Sequence, residues 1–271
     1  MYISLIFSVF NKEETIGDLL HSWLGSLSKQ HKLEVVMVFD APQDNSHKVA
    51  QAALACYPHV SALHFSADDM YEIHCNQLGF QQSHGDWVVF AQDDCWMYDR
   101  GWDQMLASVI GRTPNIGVVG LLAGSRFYDA TKWDRLEINR PHKGDSFDTA
   151  GLEAQLGVWQ CDAVCRPFAI SAALLTQFRG LNLAYCPLEF DDVDVCVRAL
   201  QEGKRNVLVP FDIKNTTASK DTISTERRAK MWSESFWRFG LYHAHYLNGR
   251  GAVKPQFLYP LRESEGGLVF V

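Results

Sequence analysis

Residues 79–94 read Gly79-Phe-Gln-Gln-Ser83-His-Gly85-Asp86-Trp87-Val-Val-Phe-Ala91-Gln92-Asp93-Asp94. The run Trp87–Ala91 is apolar without alternation, the pattern of a strand buried on both faces. It stops abruptly at two carboxylates. Adjacent carboxylates at the end of a buried strand repel each other and are costly to desolvate unless a cation or hydrogen-bond donors compensate. The pair is therefore either a helix cap beside a solvated acid, or the rim of a site for a cation. Oxygen donors in an open geometry suit Mg²⁺ or Mn²⁺ bridging to phosphate oxygens.

Upstream of this run, strand and helix patterns alternate. Ile3–Phe10 is a strand candidate, and Thr15-Ile-Gly-Asp18 resembles a capping box. Ile16, Leu19, Leu20, Trp23, Leu24 and Leu27 follow at helical spacing. Leu33–Phe39 is a β-branched run ending at Asp40, with the turn Ala41-Pro-Gln-Asp-Asn45 after it. Helix over Lys48–Ala55, strand over Val60–Phe65 and helix over Tyr71–Ser83 complete the half. Continuous apolar strands separated by helices predict a parallel sheet covered on both faces. Ligands of such sheets bind beyond the carboxyl ends of the strands. Asp40 and Asp93-Asp94 occupy two of those ends.

Downstream the pattern loosens. Trp102–Ile110 reads as helix and Ile116–Leu122 as strand, and residues 123–158 read as a polar insertion of substrate-side loop type. Ala163–Ile170 is a strand candidate and Ala172–Phe178 a helix. Glu189-Phe-Asp-Asp192 introduces a helix over Val193–Glu202 with Gly203 suited to its C-terminal cap. Asn206–Val209 is a further strand candidate. Thr225–Asn248 is helical and carries Trp232, Phe236, Trp237, Phe239, Tyr242 and Tyr246. Those aromatics fit an acceptor lid, a membrane-surface face or a helix packed into the core.

The chain has 271 residues, 47% hydrophobic and 21% charged, which excludes disordered, collagen-like and coiled-coil classes. A formal charge of −7 argues against a nucleic-acid partner, which calls for a clustered basic face. The 7 cysteines, an odd number, do not form a disulfide framework. Cys161 and Cys165 lack the companions of a zinc set. The apolar start Met1–Phe10 has no basic lead and is too short to span a membrane, and no later stretch is long enough. The expectation is a cytoplasmic protein, with peripheral membrane contact left open. No Gly-x-Ser-x-Gly elbow or His-Glu-x-x-His pair supports acyl transfer or zinc proteolysis.

Four segments in order resemble family 2 glycosyltransferases of the GT-A fold, over roughly residues 3–210. They are Phe7-Ser-Val-Phe-Asn-Lys-Glu-Glu14, Val38-Phe-Asp-Ala-Pro-Gln-Asp-Asn-Ser46, the 79–94 run, and Phe190-Asp-Asp-Val-Asp-Val-Cys-Val-Arg198 followed by Gly203. The resemblance implies an α/β, Rossmann-like fold with a mostly parallel central sheet flanked by helices. It implies a nucleotide-binding half over 1–94 and an acceptor half over 95–215, and the helical, aromatic pattern beyond them is expected to form a C-terminal extension over 216–271 packed on the same domain.

It further implies inverting transfer from a nucleotide diphosphate sugar, a UDP-sugar first, to a glycan or other hydroxyl acceptor, assisted by Mn²⁺ or Mg²⁺. Phe7, Val9, Asn11, Glu13, Asp40, Gln92 and Asp93 are the implied nucleotide contacts. Asp94 is the implied metal ligand, with Asp93 facing the ribose or the metal. A weakly acidic acceptor hydroxyl needs a positioned carboxylate to take its proton. The resemblance puts that base in Asp191, first, or Asp192, second, and leaves Asp194 to structure or solvent. Arg227, Arg228 and Lys230 are candidates for diphosphate contact.

The chain departs from the family pattern in three places. Gln92 stands where the first Asp of an Asp-x-Asp motif is usual, Ala41-Pro42 where Asp-Gly is common, and Asp212-Ile-Lys-Asn215 where a histidine often follows. His243 or His245 could supply an imidazole instead, the alternative for each being a packed or surface histidine. Two other functions compete: a nucleotidyltransferase making a nucleotide sugar, and a nucleotide- or saccharide-binding module without turnover. Asn11-Lys-Glu-Glu14 lacks the glycine-rich basic loop that the first would need.

Overall fold

The apolar runs of the first half form the elements that their spacing predicts. In the computed structural model, which describes residues 1–142, 151–215 and 224–271, they are β1 (Tyr2–Val9), α1 (Ile16–Gly25), β2 (Lys32–Asp40), α2 (Ser46–Leu54), β3 (Ser61–Ala67), α3 (Tyr71–Gln82) and β4 (Trp87–Gln92). Next come β5 (Cys95–Met97), α4 (Trp102–Arg112), β6 (Ile116–Gly120), β7 (Gly124–Phe127), β8 (Trp133–Glu137), β9 (Gly151–Glu153) and β10 (Gly157–Cys161). The chain continues through β11 (Ala163–Val164), β12 (Phe168–Ser171), α5 (Ala172–Gln177), α6 (Asp191–Gln201), β13 (Arg205–Leu208) and β14 (Ile213–Asn215). It closes with α7 (Thr225–Arg250), β15 (Gln256–Ser264) and β16 (Gly267–Phe270).

A ten-stranded sheet forms the centre, in the order β16-β15-β10-β13-β6-β12-β4-β1-β2-β3. β3, β2, β1, β4, β6, β13 and β15 run in one direction, opposed by β12, β10 and β16. The fold is the expected mixed α/β, mostly parallel sheet flanked by helices. Ile3, Leu5, Phe7, Val9, Val35, Met37, Val89 and Ala91 bury one face of the sheet, with Ile16, Leu19, Leu20 and Trp23 of α1. Ile6, Val36, Val88 and Phe90 bury the other, beneath Ile73 of α3 and Val195 and Ala199 of α6. Val9, Asp40 and Gln92 end their strands at one rim, since Val9 pairs with Phe39 and Ser8 with Gln92.

The glycines of the 79–94 run are packing glycines. A Cβ on Gly79 would lie 2.5 Å from the Ile6 side chain, and one on Gly85 2.6 Å from the Ser4 backbone nitrogen. Both let α3 and its exit lie close on β1, which fixes β4 beside β1 and thereby aims Asp93 and Asp94 at the rim.

Three expectations need correction, and one strand pair is new. The insertion over 123–158 is not a simple loop where it is described: β7 and β8 join β11 and β9 in a separate four-stranded sheet. Residues 143–150 lie outside the described residues. The single strand expected over Ala163–Ile170 is two, because Pro167 has no N–H to donate to a ladder. β11 goes to the small sheet, while β12 enters the central sheet antiparallel between β4 and β6. The chain does not end in helix: β15 and β16 form a hairpin that pairs with β10. β5 and β14, which carried no strand signal, pair with each other just past the rim.

Helix α7 buries a seam at four-residue spacing, namely Met231, Ser235, Phe239, His243 and Leu247. Its aromatics therefore divide between roles. Phe239 is fully buried, while Trp237 is 69% and Leu241 65% exposed on the opposite face. No helix among the described residues is long and apolar enough to cross a membrane.

Candidate active site

The loops after β1 and β2 hold each other. Asn11, with φ at 50°, accepts from the Gln43 N–H through Oδ1 at 2.9 Å. Glu13 accepts from the Asn45 N–H through Oε2 at 2.9 Å, and its own N–H donates to Asp44 at 3.0 Å. The Lys12 N–H donates to Ser46 Oγ at 2.6 Å. These contacts occupy the Asn11 and Glu13 side chains in shaping the rim. Phe7 and Val9 are wholly buried in the core, so a ligand meets only their backbone. Asp40 is buried too, and its two carboxylate oxygens accept from the N–H groups of Met70 at 2.7 Å and Tyr71 at 2.8 Å, where α3 begins.

Three acids and one cation gather where β4 ends. Asp93 Oδ2 accepts from the Phe10 N–H at 3.2 Å, and Lys12 Nζ stands 3.5 Å from Asp93 Oδ1. The Gln92 amide reaches Glu72 Oε1 of α3 at 3.4 Å, and Asp94 accepts a weak bond from the Cys95 thiol at 3.6 Å. Burial pushes the Asp93 carboxyl up to about 7; Lys12 opposes the shift and Asp94 adds to it. Asp94 is raised as well, by burial first and the Glu72 charge second. A neutral side chain at position 92 thus spares Glu72 a third acidic neighbour.

The antiparallel entry of β12 brings its preceding residue, Arg166, to the same rim. Arg166 pairs through Nη2 with Asp191, the first residue of α6, and its Nη1 lies 3.5 Å from Glu72. Asp191 is fully buried, and its second oxygen, Oδ1, has no hydrogen-bond partner among the described residues. Asp192 is half-buried; it accepts from the Val193 N–H at 2.7 Å and from the Arg166 N–H at 3.3 Å. Burial, with the Asp191 charge next, pushes the Asp192 carboxyl up to about 7. Burial also raises Asp191 against the pull of Arg166. Two successive non-glycine residues in the left-handed region, Glu189 (φ 74°) and Phe190 (φ 70°), turn the chain into α6, a local cost found where surrounding packing over-determines the backbone.

Asp194 takes the structural role. It accepts from Arg198 Nε at 2.6 Å, from Asn182 at 3.4 Å and from His243 Nε2 at 2.8 Å, with Asp194 and His243 buried and the other two partly so. His243 is therefore a packed histidine directed at Asp194, and His245 is exposed on the far side of α7. The first turns of α7 roof the cleft: Arg228 stands 3.4 Å from Glu189, Arg227 lies over the Tyr71 ring at 5.8 Å, and Met231 packs on Leu188. Lys230, one residue before Met231, is exposed.

Lys12, Glu72, Arg166 and Glu189 thus belong to the constellation, although sequence reasoning did not place them in it. Lys12 was visible as the first cation after a strand end. Arg166 was not, because nothing local announces that β12 runs against its neighbours.

The donor set fits a divalent ion only in part. Asp93 and Asp94 offer hard oxygens in carboxyls raised by burial and by neighbouring acidic charge, the state an added cation relieves. Among the described residues no three His, Cys, Asp or Glu side chains converge as a metal cage. Asn215 pairs with Cys95 across β14 and β5, which sets its backbone beside the carboxylate pair. The remaining ligands would come from phosphate oxygens and water, as is usual for Mg²⁺-type sites.

Several solved structures share this architecture. A Pyrobaculum calidifontis mannosyltransferase in complex with GDP-Man and Mn²⁺ superposes with a TM-score of 0.61 at 16% identity, covering 87% of this chain and 63% of that one. S. aureus TarS in complex with UDP gives 0.57 at 14% identity, covering 77% and 57%. GalNAc-T7 with UDP, GalNAc and Mn²⁺ gives 0.68 at 13% identity, covering 89% and 48%. The chain therefore spans less than two thirds of the length of each of these proteins, and identities this low establish a common fold alone. No curated protein sequence matches the chain. The profile described as "Glycosyl transferase family 2" matches residues 4–166, well over half of the chain, and the protein belongs to that family.

Proposed function

We propose that the protein transfers a sugar from a nucleotide diphosphate sugar, a UDP-sugar first, to an acceptor hydroxyl with inversion. The observation that carries this reading is the approach of two acidic pairs at one rim, Asp93–Asp94 after β4 and Asp191–Asp192 at the start of α6, linked through Glu72 and Arg166. Residues 1–94 would hold the nucleotide, residues 95–215 the acceptor, and the first turns of α7 would close over both. A divalent ion on Asp94, with Asp93 beside it, would offset the charge of the departing diphosphate. Arg227, Arg228 and Lys230, in the first turns of α7, would face that diphosphate.

Geometry favours Asp192 over Asp191 as the base. A base must touch the acceptor hydroxyl. Asp191 is fully buried and committed to Arg166, whereas Asp192 is half-buried with a carboxyl raised to about 7, suited to taking a proton near neutrality. Asp191 and Arg166 would then fix where Asp192 stands. Attack by the acceptor itself, with no protein nucleophile, inverts the anomeric centre.

Incubation with Mn²⁺ and a panel of UDP-, GDP- and dTDP-sugars tests the reading. Release of nucleoside diphosphate, lost in Asp192→Asn, is expected. Binding of a nucleotide without release would favour a non-catalytic module instead. That second reading draws on Gln92 and on the lack of a three-ligand metal cage among the described residues.

A further inference from the structure

β3 ends the central sheet, and among the described residues it pairs on one side only, with β2. Its sequence is Ser61-Ala-Leu-His-Phe-Ser-Ala67, with no Lys, Arg, Asp, Glu or Pro, and its pairing with β2 has no bulge. Those are the devices by which natural proteins blunt an exposed edge, and a long edge without them is a template for another strand.

The direction of its free groups follows from one bond. The Ala67 carbonyl accepts from the Ala41 N–H at 2.8 Å, on the β2 side. In a parallel ladder each residue points both its N–H and its C=O to one side, with a period of two. Ser61, Leu63 and Phe65 therefore face β2 as well, and Ala62, His64 and Ser66 present their backbone groups outward. Ala62 and Ser66 are exposed.

This edge is complementary to itself. An antiparallel copy centred on His64 sets His64 opposite His64, and Ala62 opposite Ser66 on both sides. Each is a hydrogen-bonded pair, with small side chains meeting small ones. On the flanks, exposed His59 before one strand comes against exposed Asp69 after the other, an imidazole facing a carboxylate.

We propose that β3 is a dimerisation edge, pairing antiparallel about His64 with a second copy of this chain to join two sheets into one. The two-fold relation makes the contact isologous and closed. Because the strands run oppositely, the two candidate active sites face opposite ends of the joined sheet. The proposal does not depend on the function assigned to that site.

Sedimentation or light scattering of the full chain at micromolar concentration should give a dimer. Ala62→Lys, which puts a cation into the edge, should give a monomer with unchanged circular dichroism and melting temperature. In a Cys56→Ser background, Ala62→Cys with Ser66→Cys should form an intermolecular disulfide on oxidation. Ala62→Cys alone should not, because its two copies would lie about 14 Å apart along the strands. A monomeric wild type overturns the proposal. So does a dimer that survives Ala62→Lys, or one in which the 62–66 pair fails to cross-link.

Discussion

Arg166 and Asp191 form an ion pair with both side chains almost wholly buried, joining the lead of an antiparallel strand to the first residue of α6. Removing one member of such a pair leaves an uncompensated charge out of water, a loss of about 3–5 kcal/mol. Arg166→Ala should therefore lower stability by that order in urea unfolding. Arg166→Met combined with Asp191→Leu should recover most of it, since a packed apolar pair is often as stable as an ionic one. A loss well below ~1 kcal/mol in the single variant would show that the pair does not hold α6 in place.

Asp192→Asn should reduce transfer by roughly 10²–10⁴-fold, the range for a lost general base, and leave donor affinity unchanged. The base works only when ionised. With the Asp192 carboxyl raised to about 7, the rate should climb as pH rises through about 7 and level off above it. Asp191→Asn, which removes a charge that helps raise Asp192, should keep a single rise of rate with pH but move it to lower pH while lowering the rate. If Asp191→Asn abolishes the profile and Asp192→Asn preserves it, the two roles are exchanged.

Asp93 and Asp192 both stand at about 7 in the folded chain, against about 3.9 for an unfolded aspartate. Between those values the unfolded chain has released protons that the folded chain still holds, so stability falls as pH rises from about 4 to about 7. Asp93→Asn should flatten part of that fall in a series of melting temperatures. Mn²⁺, which binds ionised carboxylates, should raise the melting temperature more at pH 8 than at pH 5.5. Equal shifts at both values would argue that the ion binds elsewhere.

Much of this was legible in the chain. The continuous apolar runs ending at Val9, Phe39 and Ala91 carry the parallel half of the sheet, and Asp40 and Asp93-Asp94 after two of them mark its rim. What was not legible depends on long-range pairing. Arg166 reaches the rim only because β12 runs antiparallel between β4 and β6, and β15 joins β10 across a gap no local pattern bridges. Glu72 looked like one acid in a weakly patterned helix. Its place beside Asp94 comes from the close approach that Gly79 allows between α3 and β1.

Asp40 offers the last test, because two physical roles compete for one carboxylate. The resemblance implies that it reads the base or ribose, yet its oxygens accept from Met70 and Tyr71, at the start of the helix that carries Glu72. That lead is awkward to hold, since Asp69 (φ 54°) and Tyr71 (φ 62°) both sit in the left-handed region. Bonds to a charged acceptor contribute about 1.5–3 kcal/mol each and do not simply add. Asp40→Ala should thus lower stability by about 3 kcal/mol, and weaken nucleotide binding only as a consequence of moving α3. Calorimetry with UDP alongside urea unfolding separates the roles. Lost affinity at unchanged stability would make Asp40 a direct ligand contact, whereas lost stability with affinity recovered at low temperature would make it the anchor of α3.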